Sequence, residues 1–187
     1  MNKARLTIAS AVIFASLSKL TFAAGLSSFM GVGLGNTYAD IPGANGPTMA
    51  SSSGYRLMVG NQITQHLSVE AEYIDLGTFT LSDSQVSAKG LAISGVMLIP
   101  ITTMFSAYGK AGLARIETLV TALPGSTAAV PNSDAIVGVT LGYGVQADVA
   151  PNASLRLSWD RYKSATLASS FTDRIEMRSA ALLIFRF

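Results

Sequence analysis

The 187-residue sequence contains no cysteine and a single histidine. The first absence excludes a disulfide scaffold, a thiolate metal site and a cysteine nucleophile. The second excludes a multi-histidine metal centre. Charge is scarce as well: 13% of residues are charged, against about 25% in an average soluble domain. Long apolar runs are also missing. Although 49% of residues are hydrophobic, no window offers the roughly 20 apolar residues of a membrane-spanning helix. That combination leaves two broad options, a greasy soluble β-protein or a membrane β-barrel.

The first 24 residues account for part of the composition. Met1–Ala24 has a positive start at Lys3 and Arg5, an apolar stretch over Leu6–Leu17, and small residues at Ala23 and Ala24. This is the layout of a secretory signal peptide. A membrane anchor fits less well, because the apolar run is short and Lys19 interrupts its far end. The expected organisation is therefore a signal peptide over 1–24 and one domain over 25–187. The leading segment holds Lys3, Arg5 and Lys19 and no acid. Without it, 10 basic and 11 acidic residues remain, a formal charge of −1. No basic footprint for nucleic acid survives.

From there the chain alternates with period two. The clearest case is Val137–Asp148, where Val137, Val139, Leu141, Tyr143, Val145 and Ala147 share one face. Gly138, Thr140, Gly142, Gly144, Gln146 and Asp148 share the other. Similar patterns start near Met30, Tyr55, Leu67, Leu91, Ala107, Ala153 and Arg178. The reading is eight strands. Their connectors alternate: long at Asn36–Ser53, Gly77–Val86, Leu119–Asp134 and Lys163–Asp173, short near Ile63–His66, Pro100–Met104 and Val149–Asn152. This is the pattern of an all-β, eight-stranded antiparallel up-and-down transmembrane β-barrel. Its polar faces are rich in Gly, Ser, Ala and Thr, which suit a narrow lumen. Its apolar faces carry Tyr55, Tyr73, Tyr143, Trp159, Phe185 and Phe187 near strand ends, as interfacial girdles require.

Three segments carry a family resemblance. Gly60–Gly77 (GNQITQHLSVEAEYIDLG) resembles the first periplasmic turn and following strand of the OmpA-like barrels. Gly144–Leu157 (GVQADVAPNASLRL) is similar to their last periplasmic turn. Leu183, Phe185 and Phe187 resemble the terminal-strand signal read by the outer-membrane insertion machinery. The resemblance is to the transmembrane domain of that family. It implies a bacterial outer-membrane location, with outer-membrane lipid and the insertion machinery as partners. It also implies an interior acid at Glu70 and an interior arginine at Arg156. The family's fourth-strand lysine is absent, with Val96 near its place, and Gln146 replaces a sixth-strand acid. Lys110 is the candidate substitute for the lysine, so the interior pairing must be rearranged.

The remaining chemistry is sparse. Gly31, Gly33 and Gly35 lack the following helix that a phosphate-binding turn needs, and read as lumen-facing glycines. His66, Ser68 and Glu70 invite comparison with outer-membrane lipid A deacylases. However, a nucleophile needs its base within hydrogen-bond reach, and His66 falls in a turn while Ser68 and Glu70 climb the lumen. No catalytic, cofactor or metal residues are therefore expected, and no enzyme activity. What remains is a set of charges sharing lumen parity: Arg56, Glu70, Glu72, Lys110, Arg156, Asp160 and Arg178. Buried charges must pair, so a network that plugs the barrel is expected ahead of a gated ion path. The expected function is a structural surface barrel serving envelope integrity and surface contact or adhesion, with a host or surface ligand meeting the long loops. The alternative is a small transporter or narrow channel for apolar molecules or ions, which the inward apolar set Val96, Leu98, Leu182 and Ile184 favours.

Overall fold

The computed structural model describes residues 27–43, 46–80, 84–123, 133–164 and 174–187. The expected signal segment lies outside the described residues, as do the tips of the four longer connectors. Eight strands follow in order: β1 Ser28–Gly43, β2 Gly46–Gln62, β3 Leu67–Thr80, β4 Ser84–Pro100, β5 Phe105–Ala122, β6 Ser133–Ala150, β7 Ala153–Ser164 and β8 Arg174–Arg186. Each pairs antiparallel with its sequence neighbour, and β1 pairs with β8 to close the barrel. At the closing seam, the Phe187 amide donates to the Ser28 carbonyl at 3.0 Å. Closure leaves no sheet edge facing lipid, where unpaired backbone groups are untenable.

Two of the three short turns are held by a threonine. Thr64 Oγ1 accepts from the His66 and Leu67 amides at 3.2 and 3.0 Å. Thr102 Oγ1 does the same for Met104 and Phe105 at 3.2 and 2.9 Å. A side-chain oxygen that takes nearby amides stabilises a tight reversal.

Two features differ from the sequence reading. First, the strands run well past the expected connectors. Asn36–Gly43 pairs with Gly46–Ser53 as a ribbon, where a long loop was expected. The β4–β5 ladder likewise continues to Ser84 and Ala122. The physical reason is an inversion of polarity along the strands. In the half nearer the short turns, outward residues such as Leu91, Ile93, Leu113, Leu141 and Leu157 are exposed hydrophobics. Further up, the outward positions become Lys89, Arg115 and Glu117, with Arg115 and Glu117 side chains 60% and 65% exposed. The interior changes in the opposite sense. Ile74, Leu76, Phe79, Val86, Ile116, Tyr162 and Met177 form a buried apolar cluster there. The alternation never stops, but a reader expecting apolar-out positions loses the strand where the sign reverses.

Second, β-bulges shift the phase. Gly77 sits at one, with φ +83°, in the left-handed region that glycine adopts without steric cost. Its amide donates to Asp75 Oδ1 at 2.9 Å. In β8 the register with β1 passes from Ala181 to Ser179 and leaves Ala180 without a counterpart. Above it, Met177 takes the buried position opposite Asp160.

The apolar outer band runs from Leu91 to Ile99 on β4. Eight steps of about 3.3 Å, tilted by roughly 40°, give a height near 20 Å, close to the roughly 25 Å band of outer-membrane barrels. Aromatic pairs stand at its upper margin: Tyr55–Tyr73 with ring centroids 6.2 Å apart, and Tyr143–Trp159 at 5.5 Å. Phe105, Phe185 and Phe187 are exposed at the lower margin.

Candidate functional site

The lumen is the chemically distinctive region among the described residues. Strands β2, β3, β5 and β7 deliver its charges, because alternate residues face inward. Arg56, Glu70, Glu72, Lys110, Arg156 and Asp160 are all at most 5% exposed. They form two groups. In the lower one, Arg156 Nη1 donates to both carboxylate oxygens of Glu70, at 2.8 and 3.1 Å. The same guanidinium donates twice to Gln146 Oε1, at 2.9 and 3.2 Å. Its face lies over the Tyr108 ring, 4.4 Å from the centroid, a favourable cation–π placement.

The upper group is a quartet. Lys110 Nζ bridges Glu72 Oε1 at 2.6 Å and Asp160 Oδ1 at 3.0 Å. Arg56 Nη2 donates to Asp160 Oδ2 and, at 2.9 Å, to Ser158 Oγ. Arg56 Nη1 lies 3.8 Å from Glu72 Oε2. Across the two groups three cations meet three carboxylates, so the tier is neutral overall. Gly142 makes room for it. A Cβ there would lie 2.2 Å from Asp160 Oδ1 and 2.9 Å from Lys110 Cε, so any side chain would displace the bridge.

Buried apolar clusters lie on both sides of this tier. Phe29, Met58, Leu182 and Ile184 pack together on the short-turn side. The larger cluster around Ile74, Leu76 and Met177 caps it above. At the lower rim, Asp148 Oδ1 accepts from Ser154 Oγ at 2.6 Å and from Arg186 Nη2 at 3.1 Å. This ties the end of β8 to the β6–β7 turn.

Six of the seven lumen charges singled out in the sequence therefore come together. The seventh, Arg178, has its backbone opposite Trp159 of β7 and Asn36 of β1, and its side chain lies outside the described residues. The sequence reading had noted Gln146 only as a replaced acid, and had given Tyr108 and Ser158 no role. Both share parity with Lys110 and Asp160, which was the available signal. His66 is exposed in its turn, Ser68 is buried with no hydrogen bond from its Oγ among the described residues, and Glu70 is paired with Arg156. Leu183, Phe185 and Phe187 lie on one face at the end of the chain, with Phe185 and Phe187 exposed by 43% and 72%.

Comparisons with known proteins agree with this architecture. A family model described as the OmpA-like transmembrane domain matches residues 23–179. Among solved structures, Neisserial surface protein A superposes with a TM-score of 0.69 at 16% identity, covering 88% of this chain and all of the other. Ail, the attachment invasion locus protein of Yersinia pestis, gives 0.59 at 14% identity, with 88% and 100% coverage. The N-terminal β-barrel domain of Pseudomonas aeruginosa OprF gives 0.60 at 12% identity, covering 86% and 97%. A search of curated proteins finds no significant match. With the family model spanning most of the chain and the closed eight-stranded barrel alongside it, this chain belongs to the OmpA-like transmembrane domain family and is a barrel of the bacterial outer membrane.

Proposed function

We propose that the protein is a non-conducting outer-membrane barrel that supports envelope integrity and holds its connectors at the cell surface for contact and adhesion. The observation that carries this reading is the packing of charged and apolar side chains in the lumen. A neutral ion-paired tier lies between two apolar clusters, and an eight-stranded interior is just wide enough for its own side chains. Above the aromatic margin the barrel continues with a polar outside and an apolar inside, the arrangement of a water-soluble β-barrel. From Arg115 to Thr121 this adds six residue steps on β5. At about 3.3 Å each and roughly 40° tilt, that is a rise of about 15 Å. A stiff, paired collar of this kind lifts the connectors away from the headgroups at little conformational-entropy cost, because the ladders are already ordered.

A deletion strain complemented with two forms of the gene tests this reading. One form is wild type. The other replaces residues 124–132 and 165–173 by short glycine–serine linkers. Both forms should restore resistance to detergent, and only the wild type should restore attachment to surfaces. Attachment that is unaffected by deletion and by both complementations would refute the contact role. Unchanged detergent resistance in the deletion strain would refute the envelope role.

A further inference from the structure

The lipid-facing wall is not uniform. Across β4 to β7 it is indented by a groove of about 720 Å³. Its floor is Gly95, Gly109 and Ala111, which sit in outward positions where neighbouring strands carry leucine, methionine or tyrosine. A Cβ built on Gly109 would meet nothing within 4 Å, and on Gly95 only the Ala111 carbonyl at 4.0 Å. These glycines are therefore not demanded by packing within the barrel. Glycine in a strand interior weakens it and marks places where something else approaches closely. Met97 and Tyr143 form the sides, and the groove ends upward at Trp159 and Arg161.

Location and charge select the occupant. The groove lies inside the apolar band, so what fills it is apolar along most of its length. Its upper end is at the aromatic margin, the level of the outer-leaflet headgroups. There, Arg161 gives Nε and Nη2 to Glu176 Oε1 at 3.1 and 2.9 Å, which fixes the guanidinium while leaving its side chain 47% exposed. Lys163 is exposed two residues further up the same strand. Among the described side chains, Arg161 and Lys163 against Glu176 leave one net positive charge at the mouth. We infer that the β4–β7 groove is a binding site for a phosphorylated outer-leaflet lipid, with an acyl chain along Gly95 and Gly109 and the phosphate at Arg161 and Lys163. A second copy of the chain would also use a smooth floor. The cationic mouth at headgroup level favours the lipid, which brings a phosphate and an acyl chain together in one molecule.

The protein carries its own reporter, because Trp159 is the sole tryptophan and lines the groove. The experiment places one full-length barrel per phosphatidylcholine nanodisc, doped with a small fixed fraction of acyl-brominated phosphatidic acid or of acyl-brominated phosphatidylcholine. Bromine quenches Trp159 by contact. Enrichment of the phosphatidic acid should be about fivefold over the phosphatidylcholine, the factor that one cationic side chain supplies at an anionic headgroup. Gly109→Leu fills the floor without a clash and should abolish the excess while heat-modifiable migration, the sign of a folded barrel, stays unchanged. Arg161→Gln should abolish it independently. Equal quenching by the two lipids in the wild type overturns the assignment. So does an excess that survives both variants.

Discussion

The pair formed by Glu70 and Arg156 offers the sharpest perturbation of the lumen. Glu70 is fully buried and Arg156 is 3% exposed. Two unit charges about 4 Å apart attract by about 4 kcal/mol at an effective dielectric of 20. Several kcal/mol of desolvation per ion oppose this. The net worth of the pair is thus small, yet the cost of breaking it is not. Glu70→Ala leaves a buried guanidinium without its carboxylate, and such removals cost about 3–5 kcal/mol. The lower end applies here, because Gln146 Oε1 and the Tyr108 ring still support Arg156. About 3 kcal/mol is roughly a hundredfold in the unfolding equilibrium. The double variant Glu70→Ala/Arg156→Met should recover most of that loss, since it removes both charges and keeps an apolar stem. Urea unfolding in lipid vesicles, followed by the fluorescence of Trp159, measures all four members of the cycle. A single variant within about 1 kcal/mol of wild type, below the range for a buried pair, would mean that Arg156 does not depend on Glu70. A double variant no more stable than the single would mean the same.

Other outcomes follow from the same structure. Leu113→Arg puts a charge in the apolar band and should cost about 2–4 kcal/mol if near the midplane, whereas Leu119→Arg, above Arg115 and Glu117, should cost less than about 1 kcal/mol; vesicle unfolding compares them, and equal costs would dispose of the polarity inversion. Gly77→Val should destabilise by more than about 1–2 kcal/mol, because its Cβ would sit 2.3 Å from the Ser53 carbonyl oxygen; a wild-type midpoint in urea would contradict that. Deleting Phe187 removes both an exposed terminal aromatic and the amide that donates to Ser28. Envelope fractionation should then show slowed insertion and accumulation in the periplasm, and unchanged surface levels would count against a terminal-strand signal.

Much of this arrangement is legible in the sequence, and the illegible parts have definite causes. In β3, β6 and β7 the contrast between faces is large, as in Leu155, Leu157 and Trp159 against Ser154, Arg156 and Asp160, and the faces read directly. The contrast reverses at Asp75, Arg115 and Arg161, and the expectation of apolar-out residues turned those strand ends into loops. In β8 one extra residue near Ala180 shifts the register with β1, and Ala180 differs in no visible way from its neighbour Ala181. Parity identifies which charges enter the lumen but not which ones meet. Arg56 and Asp160 are 104 residues apart and come together only through barrel closure and tilt. The role of Gly142 is likewise invisible in the sequence, since the space it leaves is taken by side chains from β5 and β7.

If two apolar clusters and a neutral charged tier block the lumen, the purified wild-type barrel in a planar bilayer should show no steady, porin-like conductance. A large, constant conductance in most insertions would mean a continuous water path through the Glu72–Lys110–Asp160 tier, and the plug would be wrong.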